Sequence, residues 1–435
     1  MSEIQIALLG IAALFLLLLL SMPVGFAMTL VGLVGFAVVV NPHAALAVLA
    51  ADYYDVFSSY GLTVIPLFVF MGQVAFHTGI SKKLFAAANA WLGWLRGGLA
   101  IVAIVASMFF AAISGSGPAT VAAIGGLTIP TMLKQGYDPG YSGAISAAAG
   151  SIGVVIPPSI PMVSYSIATS ASVGALFLGG ITPGIIIGLS LMLYTRFYCK
   201  KRGYINRESL PFSWKTVGHA LADGIWALLV PVIILGGIYG GIFTPTEAAA
   251  VAVAYGFIVG ILIYRDLKPK DLFRIFSNAA LTTATIMIIL GCANTFGRIL
   301  TLQRIPTIIA NWFQSVTNSG AVTLMLINVL LLIVGCFMET NAAIIILAPI
   351  LWPVVEAYGV NIVHFGIIMV INLAIGFITP PLGVNLFVAV NVTGSKLGTI
   401  CKAIVPIIIV MVIDLLIFTY IEPTVMWLPA AAGYA

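Results

Sequence analysis

The chain has 435 residues, 61% of them apolar and 7% charged, with a formal net charge of +5. A soluble domain carries roughly 25% charged residues, so this composition excludes an ordinary soluble enzyme or binding module and fits a helical integral membrane protein. The positive balance calls for membrane lipid and no nucleic acid, because most Lys and Arg fall in short loops where they set orientation.

Cys199, Cys292, Cys336 and Cys401 stand singly, without metal-ligand spacing, and read as reduced thiols. Residues 4–20 have the apolarity of a signal peptide but no basic n-region. Ser21-Met22-Pro23 leads straight into more apolar sequence, so a retained transmembrane helix is predicted. No loop is long enough for a soluble domain, so any extramembrane module is expected on another chain.

Apolar runs 4–20 and 24–40 meet at Pro23 and together exceed one crossing, which predicts two helices and a tight turn. Residues 41–60 carry Asp52 and Asp55 but no Lys or Arg; 61–78 form another span. Ser81-Lys82-Lys83 through Arg96, with Trp91 and Trp94, reads as an amphipathic interfacial arm. Runs 98–113 and 121–133 are each too short to cross and are joined by Ser114-Gly115-Ser116-Gly117-Pro118-Ala119-Thr120, which predicts a re-entrant hairpin over 98–133. An ordinary packed helix with a Gly/Ser kink is the plainer reading of that motif taken alone.

Residues 140–172 are interrupted by Gly150 to Ser159, where paired prolines bar the helix from continuing. Residues 176–198 lead to the most basic loop, Lys200-Lys201-Arg202 through Arg207 and Lys215. Spans 222–242 and 246–264 precede a basic linker from Arg265 to Arg274, and a span 279–297 ends at Arg298. A second amphipathic stretch, 303–317, leads to a second hairpin over 321–354, turning at Met338-Glu339-Thr340-Asn341. The helix of 362–393 is broken at Gly376-Phe377-Ile378-Thr379-Pro380-Pro381, and 403–420 is the last span.

The chain repeats. A shift of 223 residues carries Pro130 to Pro353, Gly136 to Gly359, Gly143 to Gly366, Gly153 to Gly376, Pro157 to Pro380 and Pro158 to Pro381. It also lays Ser116-Gly117-Pro118 on Glu339-Thr340-Asn341, tip on tip. Lys82, Lys83, Arg96 and Lys134 flank the first hairpin, whereas 305–395 holds no Lys or Arg, so the copies are inverted and both termini lie outside. Inverted repeats with broken helices and re-entrant tips are the architecture of secondary transporters, with the site at midplane between the copies. The predicted fold class is therefore an all-α integral membrane, inverted-repeat, elevator-type transporter. Its parts are scaffold helices in 1–60, a first repeat in 61–175, scaffold helices and basic cytoplasmic loops in 176–278, a second repeat in 279–395, and a last scaffold helix and tail in 396–435.

Ser114-Gly-Ser-Gly-Pro-Ala-Thr120, Ile156-Pro-Pro-Ser-Ile-Pro161, Gly241-Ile-Phe-Thr-Pro-Thr-Glu-Ala248 and Gly376-Phe-Ile-Thr-Pro-Pro-Leu-Gly383 resemble, in order along essentially the whole chain, the large membrane subunit of TRAP (tripartite ATP-independent periplasmic) transporters. The resemblance implies a Na⁺-driven elevator in the bacterial inner membrane. It also implies a small four-helix membrane subunit, here expected as a separate chain, and a periplasmic binding protein that delivers an organic acid. C4-dicarboxylates, sialic acid and related sugar acids all fit.

Arg298 reads, on physics alone, as an arginine snorkelling to head groups. Its place at a predicted outer face argues for a task, since an Arg fork binds a carboxylate bidentately. The resemblance points to an arginine here as substrate anchor, alongside Ser114 and Ser116. Hard cations take oxygen ligands, so Ser114 or Ser116 with carbonyls around Gly153 and Pro157 suit one Na⁺; Thr340, Asn341 and Thr379 with carbonyls around Gly376 and Pro380 suit another. Glu339, an acid in an apolar stretch, fits either a helix cap or a neighbour to a cation. Thr244-Pro245-Thr246-Glu247 reads as a structural capping box. His43, His77, His219 and His364 fall near span ends and read as interfacial. Two rivals compete: a carboxylate symporter acting alone, and an intramembrane serine protease using Ser116. The protease would need a histidine base at depth, and none is placed for it, so no enzyme activity is expected.

Overall fold

A computed structural model describes residues 9–434 except 11, 15, 19, 21, 205–211 and 382. The start of the 4–20 run and Arg207 of the basic loop lie outside the described residues. Among the described residues the protein is all-helical, and residues on either side of Pro23 are helical as the sequence requires.

The frame consists of α1 (Val24–Val39), α2 (Pro42–Ser58), α3 (Val64–His77), α11 (Trp214–Tyr239), α12 (Pro245–Ile258) and α13 (Pro269–Leu302). α13 packs along α1, α2 and α3, and α12 lies between α3 and α11. Residues 41–60, left without a predicted element, form α2; it meets the next helix at 64°, so 61–78 is the second limb of a bent pair. α13 spans 34 residues, about 51 Å at 1.5 Å per residue. This corrects two boundaries. The basic linker ends at Lys268, with Pro269 at the first helical position and Asp271 Oδ2 accepting from the Lys268 N–H at 3.1 Å. Arg298 lies inside the helix rather than beyond its end.

Two amphipathic arms leave the frame. α4 (Ile80–Leu92) packs between α11 and the first hairpin, and Lys83 on it meets Asp223 at 3.4 Å. α14 (Ile305–Val316) packs against the second hairpin.

The first hairpin is α5 (Gly98–Ser114), a short α6 (Gly117–Thr120), a π turn (Val121–Gly125) and α7 (Gly126–Lys134). The first broken helix is α8 (Pro139–Ser151) and α9 (Ile160–Thr169), separated by a 3-10 turn and a cis Pro157–Pro158 bond. The second hairpin is α15 (Gly320–Gly335) and α16 (Thr340–Glu356); the second broken helix is α17 (Ile362–Gly376) and α18 (Val384–Thr393), with cis Pro380–Pro381 between them. The 223-residue shift is therefore visible in the backbone. It pairs the two cis bonds, and it pairs Gly136 with Gly359, whose φ angles of 81° and 76° are open to glycine at no steric cost.

The two copies interlock. α9 of the first copy packs on α16 of the second, and α18 of the second packs on α8 and α7 of the first. α8 permits this because it is Gly, Ala and Ser along nearly its whole length and is buried from Gly140 to Ser151, and small side chains let helices approach closely. The two helices assigned above to the scaffold, α10 (Val173–Arg202) and α19 (Leu397–Tyr420), lie against the repeats: α10 on α5 and α17, α19 on α8, α17 and α18. The predicted tail holds a further helix, α20 (Pro423–Ala431), tied to α10 by Trp427 Nε1 donating to Thr182 Oγ1 at 2.7 Å. Among the described residues five helices are long and apolar enough to span a membrane, and the bent pair makes six.

Candidate functional site

Each hairpin tip is a helix N-terminus with an oxygen cap, and the repeat shift carries one cap onto the other. Ser116 Oγ accepts from the Ala119 N–H at 3.5 Å; Glu339 Oε2 accepts from the Ala342 N–H at 3.0 Å. The capping reading of Glu339 is the one the geometry gives. Its Oε1 takes the Asn341 Nδ2 donor at 2.8 Å, and Asn341 Oδ1 accepts from Ser164 at 3.0 Å across the two repeats. Both ends of the Asn341 amide are thus engaged.

At the first tip Ser114 Oγ lies 3.1 Å from Thr120 Oγ1, which donates to the Ser116 carbonyl at 2.7 Å. Gly115 turns the chain with φ 60°, and its carbonyl accepts from the Ile160 N–H at 3.3 Å, so the tip rests on the Pro-Pro break. A methyl group at Gly153 would sit 2.6 Å from Thr120 Oγ1 and 2.7 Å from the Ser116 carbonyl. The oxygens of Ser114, Ser116 and Thr120 therefore gather over bare glycine backbone, a donor set of the kind a hard cation takes. Thr120, named above within the motif but not as a ligand, is part of it.

The second break is built likewise. Gly376 lies against Gly335 at the end of α15, where an added Cβ would approach the Gly335 carbonyl to 2.5 Å. Thr379 Oγ1 donates to the Ile375 carbonyl at 2.8 Å, which leaves its lone pairs for another partner. Thr340 is buried beside Asn341.

The tips open on a cavity of about 570 Å³ lined by Ser116, Glu339, Asn341, the breaks at Val154 and Phe377, and Thr282 and Thr285 of α13. Arg298 lines a different cavity, of about 480 Å³, with Asp52, Asp55, Asn294, Thr301, the end of α9 and the middle of α16. The structure does not bring Arg298 together with Ser114 and Ser116. It brings Arg298 to Asp52, whose Oδ1 accepts from Nη1 at 2.9 Å; Asp52 is 3% exposed at its side chain and Arg298 is 52%. Asp52 Oδ2 is buried with no partner among the described residues. Asn294 Nδ2 donates to the Asp52 carbonyl at 3.4 Å. Asp52 is the residue the sequence reading missed. Its only signal was an acid in an apolar segment free of Lys and Arg.

Thr244 and Glu247 stand away from both cavities and form the capping box, with Thr244 Oγ1 accepting from the Glu247 N–H at 3.3 Å and Glu247 Oε2 accepting from the Thr244 N–H at 2.8 Å. His364 departs from the interfacial reading: it is 4% exposed and its Nε2 meets the Phe418 carbonyl at 2.8 Å.

Residues 11–424 match the family described as Tripartite ATP-independent periplasmic transporter, DctM component. The chain belongs to this family. It is 42% identical over 387 residues to the C4-dicarboxylate TRAP transporter large permease protein DctM of Pseudomonas aeruginosa, covering 88% of this chain and 90% of that protein. It is 48% identical over 417 residues to the isethionate TRAP transporter permease protein DctMQ of Oleidesulfovibrio alaskensis, covering 95% of this chain but 64% of that protein. With the sialic acid TRAP transporter large permease protein SiaM of Vibrio cholerae it shares 35% identity over 413 residues, 95% and 96% of the two chains. The crystal structure of the Alcanivorax borkumensis YdaH transporter has the same fold, at a TM-score of 0.60 and 14% identity over 89% of this chain and 90% of that one.

In this TRAP permease one helix, α13, carries both cavities. Thr285 borders the tip cavity and Arg298 the other, 13 residues apart on the same helix, about 20 Å along its axis at 1.5 Å per residue. The two cavities therefore lie at different levels along α13.

Proposed function

We propose that this TRAP permease is the membrane-embedded path by which an organic acid is taken up across the bacterial inner membrane, coupled to Na⁺ and supplied by a periplasmic binding protein. A small membrane subunit braces the frame, and both termini face the periplasm. The acids named for its relatives, C4-dicarboxylates, isethionate and sialic acid, bound the substrate to an organic anion.

One observation carries the reading: two hairpin tips, each resting on a Pro-Pro break in its own repeat, meet at a single cavity beside a polar stretch of the frame. Unwound helices at such a place offer carbonyls to cations and helix N-termini to anions. Na⁺ would be held at the first tip by Ser114, Ser116 and the backbone around Gly153 and Pro157, and at the second by Thr340, Thr379 and the backbone around Gly376 and Pro380, with Asn341 orienting its tip. The hairpins re-enter the membrane from opposite sides, and the repeats slide along α13 as an elevator. That motion carries the tip cavity between the level of Thr285 and that of Arg298, where the acid is received. The test is uptake into proteoliposomes holding both membrane subunits, with the binding protein outside. Uptake is expected with an inward Na⁺ gradient and lost when K⁺ replaces Na⁺. Uptake indifferent to that exchange and following a proton gradient would overturn Na⁺ coupling.

A further inference from the structure

The two cavities are poor in positive charge. Their linings hold one cation, Arg298, and three carboxylates, Asp52, Asp55 and Glu339. Arg298 already gives Nη1 to Asp52, so one edge of its fork remains for a ligand. A ligand with two acid groups could seat one of them there. The other would lose water with no cation to meet, and would face Asp55 in the same cavity.

Acceptors outnumber donors among the hydrogen-bonding groups around Arg298. Asp55 presents a carboxylate. Thr301 donates its proton to the Gly297 carbonyl at 2.9 Å and keeps only lone pairs, and Asn294 has committed one of its two amide protons to the Asp52 carbonyl. A surplus of acceptors calls for hydroxyl or N–H groups on the ligand. The remaining lining is aliphatic, from Ile167, Ala168, Leu290 and Ile345.

Resting on the reading of the Arg298 cavity as the acid's point of entry, we infer that the substrate is a hydroxylated monoanion: one acid group for Arg298 and hydroxyl donors for Asp55 and Thr301. Isethionate and sialic acid are of this class; C4-dicarboxylates are not. Arg298 and Asp55 together act as a charge count, admitting one negative group and repelling the second.

The test uses the purified full chain with its small subunit, without the binding protein, so that the permease's own choice is read. Thermal unfolding is followed in NaCl at constant ionic strength with isethionate, sialic acid, propionate or succinate. One of the two hydroxylated monoanions is expected to raise the unfolding temperature, and which one does so identifies the source. Propionate, with no hydroxyl, needs at least tenfold more for the same shift, and succinate gives none. Asp55→Asn is expected to make succinate effective and to weaken the hydroxylated acid severalfold. Succinate matching the best monoanion in the wild-type protein, with its effect lost in Arg298→Lys, would overturn the inference and leave the entry site standing. No shift with any acid, or shifts that Arg298→Lys leaves intact, would remove the entry site and the inference with it. The wild-type ranking of acids needs no variant to fold.

Discussion

Ser164 on the first broken helix donates to Asn341 on the second hairpin at 3.0 Å, although the two are 177 residues apart and belong to different repeats. Asn341 is held from its other side by Glu339, so the second tip is fixed to its neighbour by a two-bond chain that is buried at Ser164 and Asn341 and reaches the tip cavity at Glu339. Ser164→Ala removes the far end and leaves the Asn341 oxygen without its donor. Interhelical hydrogen bonds in membranes contribute about 0.6 kcal/mol on average and about 1.7 at most. Ser164→Ala and Asn341→Ala are therefore each expected to lower the unfolding temperature slightly, and their double variant by less than the sum. Additive losses would show that the contact carries no coupling.

Gly153 is expected to reject a methyl group. Its added Cβ would meet the Ser116 carbonyl and the Thr120 hydroxyl at under 3 Å, and one of those neighbours is backbone. Gly153→Ala would push the first tip off the Pro-Pro break and scatter the oxygens gathered there. Na⁺-dependent uptake should fall at least tenfold. Gly126→Ala, on the hairpin that carries this tip and with nothing within 4 Å, is the control and should transport normally. Equal activity of the two variants would mean that the tip does not need its seat.

Gly and Pro made the repeats legible before any coordinates. Gly153, Pro157, Gly376 and Pro380 break helices by their own covalent geometry, so their positions mark hairpins and breaks without reference to the rest of the fold. Caps at Thr244 and Glu339 were readable for the same reason, since each acts on an amide three residues away; Ser116, read as a ligand, caps Ala119 in the same way. Pairings across the chain were not. Nothing local to Asp52 or Arg298 specifies a partner 246 residues away, and the interlocking of α9 with α16 and α18 with α8 is decided by the shapes of buried faces. The start of α13 was missed although Pro269 and Asp271 form a helix-start pattern, because the basic residues around them read as a loop. Hydropathy marked α10 and α19 as spans but does not report the neighbours they pack against.

Thr379→Ala separates the Na⁺ reading from a structural one. The hydroxyl gives its proton to the Ile375 carbonyl at the end of α17, a bond whose loss is worth about 0.5–1.5 kcal/mol, and offers its lone pairs to the break. If those lone pairs bind Na⁺, the half-saturating Na⁺ concentration should rise severalfold while the binding protein still docks and delivers. Thr379→Ser keeps the oxygen and should restore the sodium dependence. A sodium dependence unchanged in Thr379→Ala would take this residue out of the ion site.

Asp52 and Arg298 can be tested against each other. Arg298→Lys keeps a cation and an apolar stem but replaces a planar fork with a point charge, which cannot serve Asp52 and an incoming acid at once. Losing one charge-assisted hydrogen bond costs about 1.5–3 kcal/mol, so uptake at limiting substrate should fall tenfold or more. A snorkelling arginine would tolerate this change, and near-normal uptake would restore that role. Asp52→Asn retains an oxygen for Nη1 and removes the counter-charge, so the guanidinium stays in place and pulls harder on an anion. KM and kcat should both decrease, because the acid is held longer. Asp52→Ala takes away the positioning contact as well, and KM should rise instead. A side chain serving only to pack α2 on α13 would give changes of the same sign for both substitutions. Opposite signs in KM, measured over a full substrate range in the same liposomes, identify Asp52 as the residue that sets how tightly Arg298 holds its acid.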